Sequence, residues 1–422
     1  MPQPDSGLIL RARVVLPVSR QPIDNGAVFV VGDRIVSVGA FPDLRRNVSA
    51  AVADLGNAIL LPGLINSHCH LDYTGFAGQV PAGDSFVDWL KRIIHIKRTW
   101  TEDDYRESWV KGAGMLLRGG VTTVADTEAV PSLIPSVWDE TPLRVLSLLE
   151  MTGVLLDGKP ESVLSEFWKA RQRTEGRRGR TGLSPHSLYS TVPGLVLRAA
   201  AAVEEWRLPL SIHLAESDVE MDMFQHAKGE MFDWVKDIGR EMSDCGGGSP
   251  VALAGKLRAL SKRTIAVHVN HLGQGDAETL ARNGASVAHC PGSHKFFDHA
   301  RFPHDELRNA GVNICLGTDS LASMPANGGD APVLSMFDEM RRFASVYPDV
   351  ESETVLRMAT INGADALGEG GERGELSEDA KADIIAIPFA GKTGNAAEAA
   401  VAHRGDVSCS MVGGAWVIKQ AV

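Results

Sequence analysis

His68 and His70 stand one residue apart in LPGLINSHCHLDYTGFAG, residues 61–78, at the end of an apolar run. On an extended segment alternate side chains share a face, so the two imidazoles point the same way and Cys69 points oppositely. Spaced about 6.5 Å along the backbone, they can converge on one ion with metal–nitrogen distances of about 2.0–2.1 Å. An H-x-H pair alone is weak evidence, because polar punctuation after a buried strand looks the same. Two further residues strengthen it. His213 follows the apolar run LPLSI and Asp319 follows VNICLGT, where a purely structural strand normally yields to Gly, Asn or Ser. Three imidazoles and a carboxylate make a donor set for Zn²⁺, with Fe²⁺ or Mn²⁺ as alternatives. With water in the remaining position, such a set is catalytic rather than structural.

Glu216 lies three residues beyond His213. If the chain turns there, its carboxyl faces a substrate held at the ion without being a ligand, the position wanted for a proton shuttle. His268 ends the apolar stretch TIAVHV and is preferred over His271, which sits past the end of that stretch. Other histidines have blander readings. His95 sits in the helix-like WLKRIIHIKR, and His299, His304 and His403 lie in loop-like or terminal surroundings where solvation is the default. Phe86 and Trp89 could wall a pocket, but core packing explains them equally well.

The residues that could do chemistry need a scaffold that brings distant segments together. From about residue 58, apolar runs of strand length alternate with helical patterns: AILLPGLINSH, VTTVAD, LRVLSLLE, TGLSPHS, LPLSIHLAE, TIAVHVNH, ASVAHCP and VNICLGTDS. In the helix between the first two, Thr101 is the expected N-cap with Asp104 three residues on. Tyr105, Trp109, Ala113 and Leu116 follow at helical spacing, and Gly119-Gly120 stops the pattern. Eight such alternations predict a (β/α)₈ TIM barrel, whose active sites lie at the C-terminal strand ends. A doubly wound sheet is the competitor, and no G-x-G-x-x-G follows the first strand. Residues 7–56 read as short strands with a Gly32-Asp33 hairpin, and that texture returns in ADIIAI and SMVGGAWVIK. The expected organisation is a small β domain from residues 1–57 and 376–422 around a barrel over 58–375. Two stretches break the barrel rhythm, 71–100 and about 217–262, and long segments after barrel strands commonly form lids or substrate walls.

Bulk properties narrow the field. The net charge is −11 without a block of like charges, which argues against a nucleic-acid surface. No apolar run approaches a bilayer span, and no secretory signal is visible. The five cysteines are scattered without a C-x-x-C pair, so neither a disulfide framework nor a zinc knuckle is suggested. A reducing, cytoplasmic setting is the simplest reading.

The segments LPGLINSHCH, GLSPHSLYS, SIHLAES, AVHVNHLG, VAHCPGSHKFF and LGTDSLAS together resemble the amidohydrolase superfamily, in its single-metal aminohydrolase branch of deaminases and triazine hydrolases. The run ATINGADALGEGGERGELSEDAKADIIAI resembles that family's last helix and its return to a small β-sandwich made from both chain ends. The resemblance implies that His68, His70, His213 and Asp319 bind one divalent ion, Zn²⁺ being expected. It implies that Glu216 moves a proton, that His268 hydrogen-bonds the attacking water or the departing group, and that Asp319 takes the water's proton. His186 in SPHSLY would touch substrate. No lysine suited to carbamylation ends the fourth candidate strand, in keeping with one metal. Much of the branch has asparagine where GSHKFF has His294, a residue expected beside the substrate. This version is more similar to aminodeoxyfutalosine-deaminase-like members. The implied activity is hydrolytic deamination of a purine-like or other nitrogen heterocycle. The rivals are a triazine-type chlorohydrolase or N-dealkylating enzyme, a cyclic-amide hydrolase, and a non-catalytic scaffold. The expected partner is a small-molecule substrate, and the family adds the expectation of a homodimer or larger assembly.

Overall fold

The apolar run Ala58–Cys69 is two strands in two different sheets. In the computed structural model, which describes residues 7–81, 83, 85–153, 160–324 and 332–419, Ala58–Pro62 pairs antiparallel with Ile384–Pro388 in a small sheet. Leu64–Cys69 then opens a barrel. The switch falls at Gly63 rather than at residue 58. Its amide donates to the Asp383 carbonyl of the small domain at 2.9 Å, while Leu64 donates to Gly120 beside the second barrel strand at 2.9 Å. A side chain at residue 63 would run into Thr122, so only glycine lets the chain pass between the sheets.

The barrel strands are β1 (Leu64–Cys69), β2 (Val121–Glu128), β3 (Arg144–Met151), β4 (Arg180–Pro185), β5 (Leu210–Leu214), β6 (Thr264–His268), β7 (Ser286–His289) and β8 (Ile314–Leu316). Each pairs in parallel with the next. The ring closes where Cys69 bridges Asp319. There the amides of Thr318 and Asp319 both donate to the His68 carbonyl, at 3.0 and 3.1 Å. Gly317 permits this approach, since a Cβ there would lie 2.9 Å from His68. One set of strand residues, including Ile65, Ala125, Leu146, Leu148, Ile265 and Val267, forms a core separate from the set that packs under the helices. Burial on both faces is why these strands read as nearly continuous apolar runs instead of alternating ones.

The helix Glu102–Arg118 carries the predicted capping box. Thr101 Oγ1 accepts from the Asp104 amide, and Asp104 Oδ2 accepts from the Thr101 amide at 2.8 Å. Tyr105, Trp109, Ala113 and Leu116 are its buried face.

The second sheet joins strands from both ends of the chain. Its order is Ala415–Lys419, Cys409–Val412, Ile384–Pro388, Ala58–Pro62, Leu8–Val15, Ile23–Val31 and Arg34–Ala40, with Ala51–Asp54 added against Leu8–Val15. It has its own core around Leu10, Val28, Ile35, Leu60, Ile384 and Met411. Asp383 fastens it to the barrel base, accepting from Arg144 Nε at 2.8 Å and from the Gly413 amide at 2.6 Å. The expected Gly32-Asp33 turn is present, with Val31 opposite Arg34.

Both stretches that break the barrel rhythm contain helices. The first holds Phe86–Lys97, capped by Ser85, whose Oγ accepts from the Asp88 amide at 3.1 Å. The second holds Asp218–His226, Glu230–Asp237 and Pro250–Lys256. Ser85 Oγ also donates to Glu230 Oε1 at 2.9 Å, tying the two insertions together. Among the described residues no helix is long and apolar enough to cross a membrane.

Candidate active site at the barrel mouth

The polar strand-end residues expected to do chemistry sit at the C-terminal end of the barrel, and most of them converge. The pleat of β1 brings the His68 and His70 rings to 4.9 Å apart and nearly perpendicular. Asp126 on β2 steadies the chain as it leaves β1: it accepts from the Leu71 amide at 2.8 Å and from Trp109 Nε1 at 2.7 Å. His213, near the end of β5, donates from Nδ1 to the His186 carbonyl at 2.8 Å. That bond fixes its tautomer and leaves a lone pair on Nε2. Asp319 enters from the seam with φ +55°, a left-handed conformation held by the ring closure. Ser323 Oγ donates to its Oδ2 at 2.9 Å, while Oδ1 faces the histidines.

Two donors on one tetrahedral ion with bonds of about 2.0–2.1 Å stand about 3.3 Å apart, and the donor atoms here approach that spacing within two overlapping groups, His68/His70/Asp319 and His68/His213/His268. His70 Nε2 and His213 Nε2 are 3.3 Å apart. Asp319 Oδ1 lies 3.5 Å from His68 Nε2 and 3.8 Å from His70 Nε2. Both ring nitrogens of His68 are shut off from solvent with no hydrogen-bond partner. A buried polar atom left so costs about 1–3 kcal/mol, and a bound cation removes that cost. Burial lowers His70 to about 3, with help from His68, and burial with the neighbouring imidazoles lowers His213 well below the ordinary range, so both imidazoles are neutral, the ligand form. Burial by itself would raise Asp319, but the interaction with His68, joined by His268 and His70, holds it well below the usual carboxylate range. These residues therefore fit a metal cofactor.

His268 and Glu216 sit at the same nest. A nitrogen of His268 lies within 4.8 Å of those of His68 and His213, and its Nε2 is 3.5 Å from Glu216 Oε1. Left-handed turns at Ala215, His268 and Val269 re-aim the chain as it leaves β5 and β6. The Glu216 amide donates to Glu220 Oε2 at 2.8 Å, and Asn270 Nδ2 donates to the Glu216 carbonyl at 3.0 Å. Burial pushes the Glu216 carboxyl well above its ordinary range, and the charges of Asp319 and Glu220 add to the shift.

A cavity of about 470 Å³ opens over this floor, large enough for a small heterocyclic molecule. His186 lines it, its Nδ1 2.8 Å from Ser190 Oγ. Phe86 and Trp89 also line it, together with Trp234 from the second insertion, while packing against the main hydrophobic core, so they serve as wall and as core at once. His294 is absent from the lining. Its Nδ1 faces Asn270 Oδ1 at 3.0 Å, and Asn270 in turn donates to the backbone carbonyl of Glu216. His304 departs from its expected solvation: it is 2% exposed and packs against Phe343.

Among the lining residues that escape the sequence reading is an ion pair. Glu150, near the end of β3, is buried and lies 3.4 Å from Lys97 Nζ of the helix Phe86–Lys97. Burial would raise it, yet Lys97, His186 and His70 together hold it down to about 2. The rule that picks His213 and Asp319, a polar residue ending an apolar strand, also selects Glu150 in LRVLSLLE. Lys97, inside IIHIKR, carries no such signal.

The model of the amidohydrolase family matches residues 59–417. The 5-methylthioadenosine/S-adenosylhomocysteine deaminase of Syntrophobacter fumaroxidans is 30% identical over 395 residues, covering 87% of this chain and 80% of the relative. In fold the chain is similar to an aminofutalosine deaminase of Helicobacter pylori in complex with methylthio-coformycin, with TM-score 0.86 and 22% identity over 97% of this chain and 100% of the other. It is also similar to a zinc-bound adenosine deaminase of Xanthomonas campestris, with TM-score 0.83 and 23% identity over 98% and 93% of the two chains. The chain belongs to the amidohydrolase family.

Proposed function

We propose that this protein is a metal-dependent hydrolytic deaminase that removes an exocyclic amino group from a purine-like heterocycle and releases ammonia. One observation carries the reading. Two overlapping groups of donors, His68/His70/Asp319 and His68/His213/His268, share a cavity floor with a buried carboxyl, Glu216, whose proton affinity burial raises well above the ordinary range. The relative that is 30% identical is named for acting on two adenine-bearing molecules, which supports the substrate class.

In this reading His68, His70, His213 and Asp319 hold one ion, Zn²⁺ by the donor set. The chemistry such an ion would supply when bound is Lewis-acid activation of water, whose pKa would fall from 15.7 towards about 7. Asp319 accepts a proton from the attacking water. As the new C–O bond forms at the amino-bearing carbon, the displaced electron pair moves onto the ring nitrogen, which takes the Glu216 proton. His268 hydrogen-bonds the incoming oxygen. The exocyclic nitrogen then takes the proton held on Asp319, the C–N bond breaks as the new hydroxyl returns its proton to Glu216, and the amine plus water have become a carbonyl plus ammonia. His186 faces the substrate from the wall, and His294 acts on Glu216 at second remove through Asn270. Five free thiols suit a reducing, cytoplasmic setting.

The test is ammonia release by metal-analysed protein against adenine nucleosides, adenine, guanine, cytosine and triazines. The expected outcome is ammonia from an adenine-bearing member, abolished by a chelator and restored by Zn²⁺. Metal-loaded protein that releases ammonia from none of them would move the assignment to another leaving group.

A further inference from the structure

Three residues with no part in the deamination chemistry form a second convergent group at the rim. Asp218 is the first residue of the helix Asp218–His226, which follows β5. His271 follows β6, its amide donating to the Ala215 carbonyl at 3.1 Å. His299 follows the helix Pro291–Phe296 and donates from its amide to the His294 carbonyl at 3.2 Å. One donor atom from each lies within 4.8 Å of the other two.

We propose that Asp218, His271 and His299 form a second binding site for a zinc-class divalent ion, separate from the residues on the barrel floor. The Nε2 atoms of His271 and His299 are both closed to solvent and have no hydrogen-bond partner. His271 Nε2 stands 3.6 Å from Asp218 Oδ1, too far for a hydrogen bond but close to the roughly 3.3 Å separation of two donors on one tetrahedral ion. The two rings are 5.8 Å apart and almost perpendicular. Burial lowers both imidazoles, His299 to about 4, so each offers a lone pair at neutral pH and a plain His⁺–carboxylate pair is disfavoured. Two nitrogens and one oxygen suit Zn²⁺ better than Mg²⁺ or Ca²⁺, which want all-oxygen shells. Asp218 is largely exposed, so water can complete the coordination from the solvent side.

An ion here would join two parts of the mouth. Asp218 starts the segment two residues beyond Glu216. His299 lies two residues beyond Phe297, whose ring packs edge-on to Trp89 at 4.9 Å and Phe86 at 5.1 Å. The rim ion would therefore pin the aromatic wall of the cavity to the segment that carries the proton donor.

The experiment is elemental analysis of the full chain, stripped, reloaded with Zn²⁺ and desalted, for the natural sequence and for D218A/H299A. The double variant is expected to retain one equivalent fewer than the natural protein. Equal retention in the two would overturn the proposal. Should the double variant fail to fold, D218A alone alters only an exposed side chain. In a Zn²⁺ titration it should weaken the rim equivalent at least tenfold, and an unchanged isotherm would overturn the proposal equally. Because the readout is a difference between proteins, it holds whether or not the floor residues take up metal.

Discussion

The floor of the cavity and its wall are built on different terms. Floor residues come from strand ends inside a closed ring, and two of them are pinned by further hydrogen bonds, His213 by the His186 carbonyl and Asp319 by the seam and Ser323. Wall residues come from two inserted helical segments that lie against each other and share the hydrogen bond from Ser85 to Glu230. A parallel barrel fixes its strand ends to the precision of its hydrogen-bond ladder, whereas inserted helices depend on the apolar face they bury. Chemistry belongs on the first kind of support and substrate selection on the second.

Floor and wall should therefore suffer unequally when they are altered. On the floor, E216Q removes the proton that the proposed reaction needs and leaves all four donor residues in place. The expected result is an unchanged metal content with kcat lower by about 10²–10⁴. Turnover within a factor of a few of the natural enzyme would take Glu216 out of the mechanism.

Where floor and wall meet, Lys97 of the wall helix neutralises Glu150 of β3. The Glu150 carboxyl sits at about 2 in the folded protein against an ordinary 4.5, so the folded state binds its proton less readily than the unfolded chain. Its contribution to stability is fully present above pH 4.5 and fades as pH falls from there towards 2. K97M leaves a buried carboxylate without its cation, which for a fully buried pair costs about 3–5 kcal/mol; the partial exposure of Lys97 makes a smaller loss in urea unfolding at pH 7 the expected result. The gap to the natural protein should narrow by about pH 4, because burial keeps the unpaired acid protonated there. A gap independent of pH would mean that Lys97 acts through packing alone.

On the wall itself, W89A removes an aromatic surface and touches no reacting group. A loss of about 1–1.5 kcal/mol of binding predicts KM up roughly tenfold with kcat nearly kept. A fall in kcat with KM unchanged would show that the wall positions the reacting atoms.

The same division explains what is legible in the sequence. His68, His70, His213, His268 and Asp319 are readable because parallel strands buried on both faces are apolar throughout, so a polar residue at the end of one stands out. Glu150 obeys that rule but does not stand out, since a glutamate after leucines also suits a solvated strand end. The insertions can be located but not shaped: glycine-rich SDCGGGSP and the short, variably capped helices around it give weak periodicity, and wall and core aromatics share one pattern. Gly63 divides a run that pattern alone reads as one strand, because its reason is Thr122 on a neighbouring strand. His271 is legible only as the rival to His268, and His299 only as a loop histidine; the fold alone brings them beside Asp218.

The seam between β1 and β8 also bears on how the molecule comes into being. Asn66 and Thr318, bonded side chain to side chain at 2.8 Å, are 252 positions apart in the chain. The loop they close is the whole barrel, among the costliest kinds of contact to form early. During synthesis a chain that has emerged only as far as β7 carries His68, His70 and His213 on strands with no closed ring, and it lacks Asp319 altogether. Completion of the donor set therefore coincides with arrival of the eighth strand, so acquisition of a tightly held ion would serve as a chemical timestamp for barrel closure.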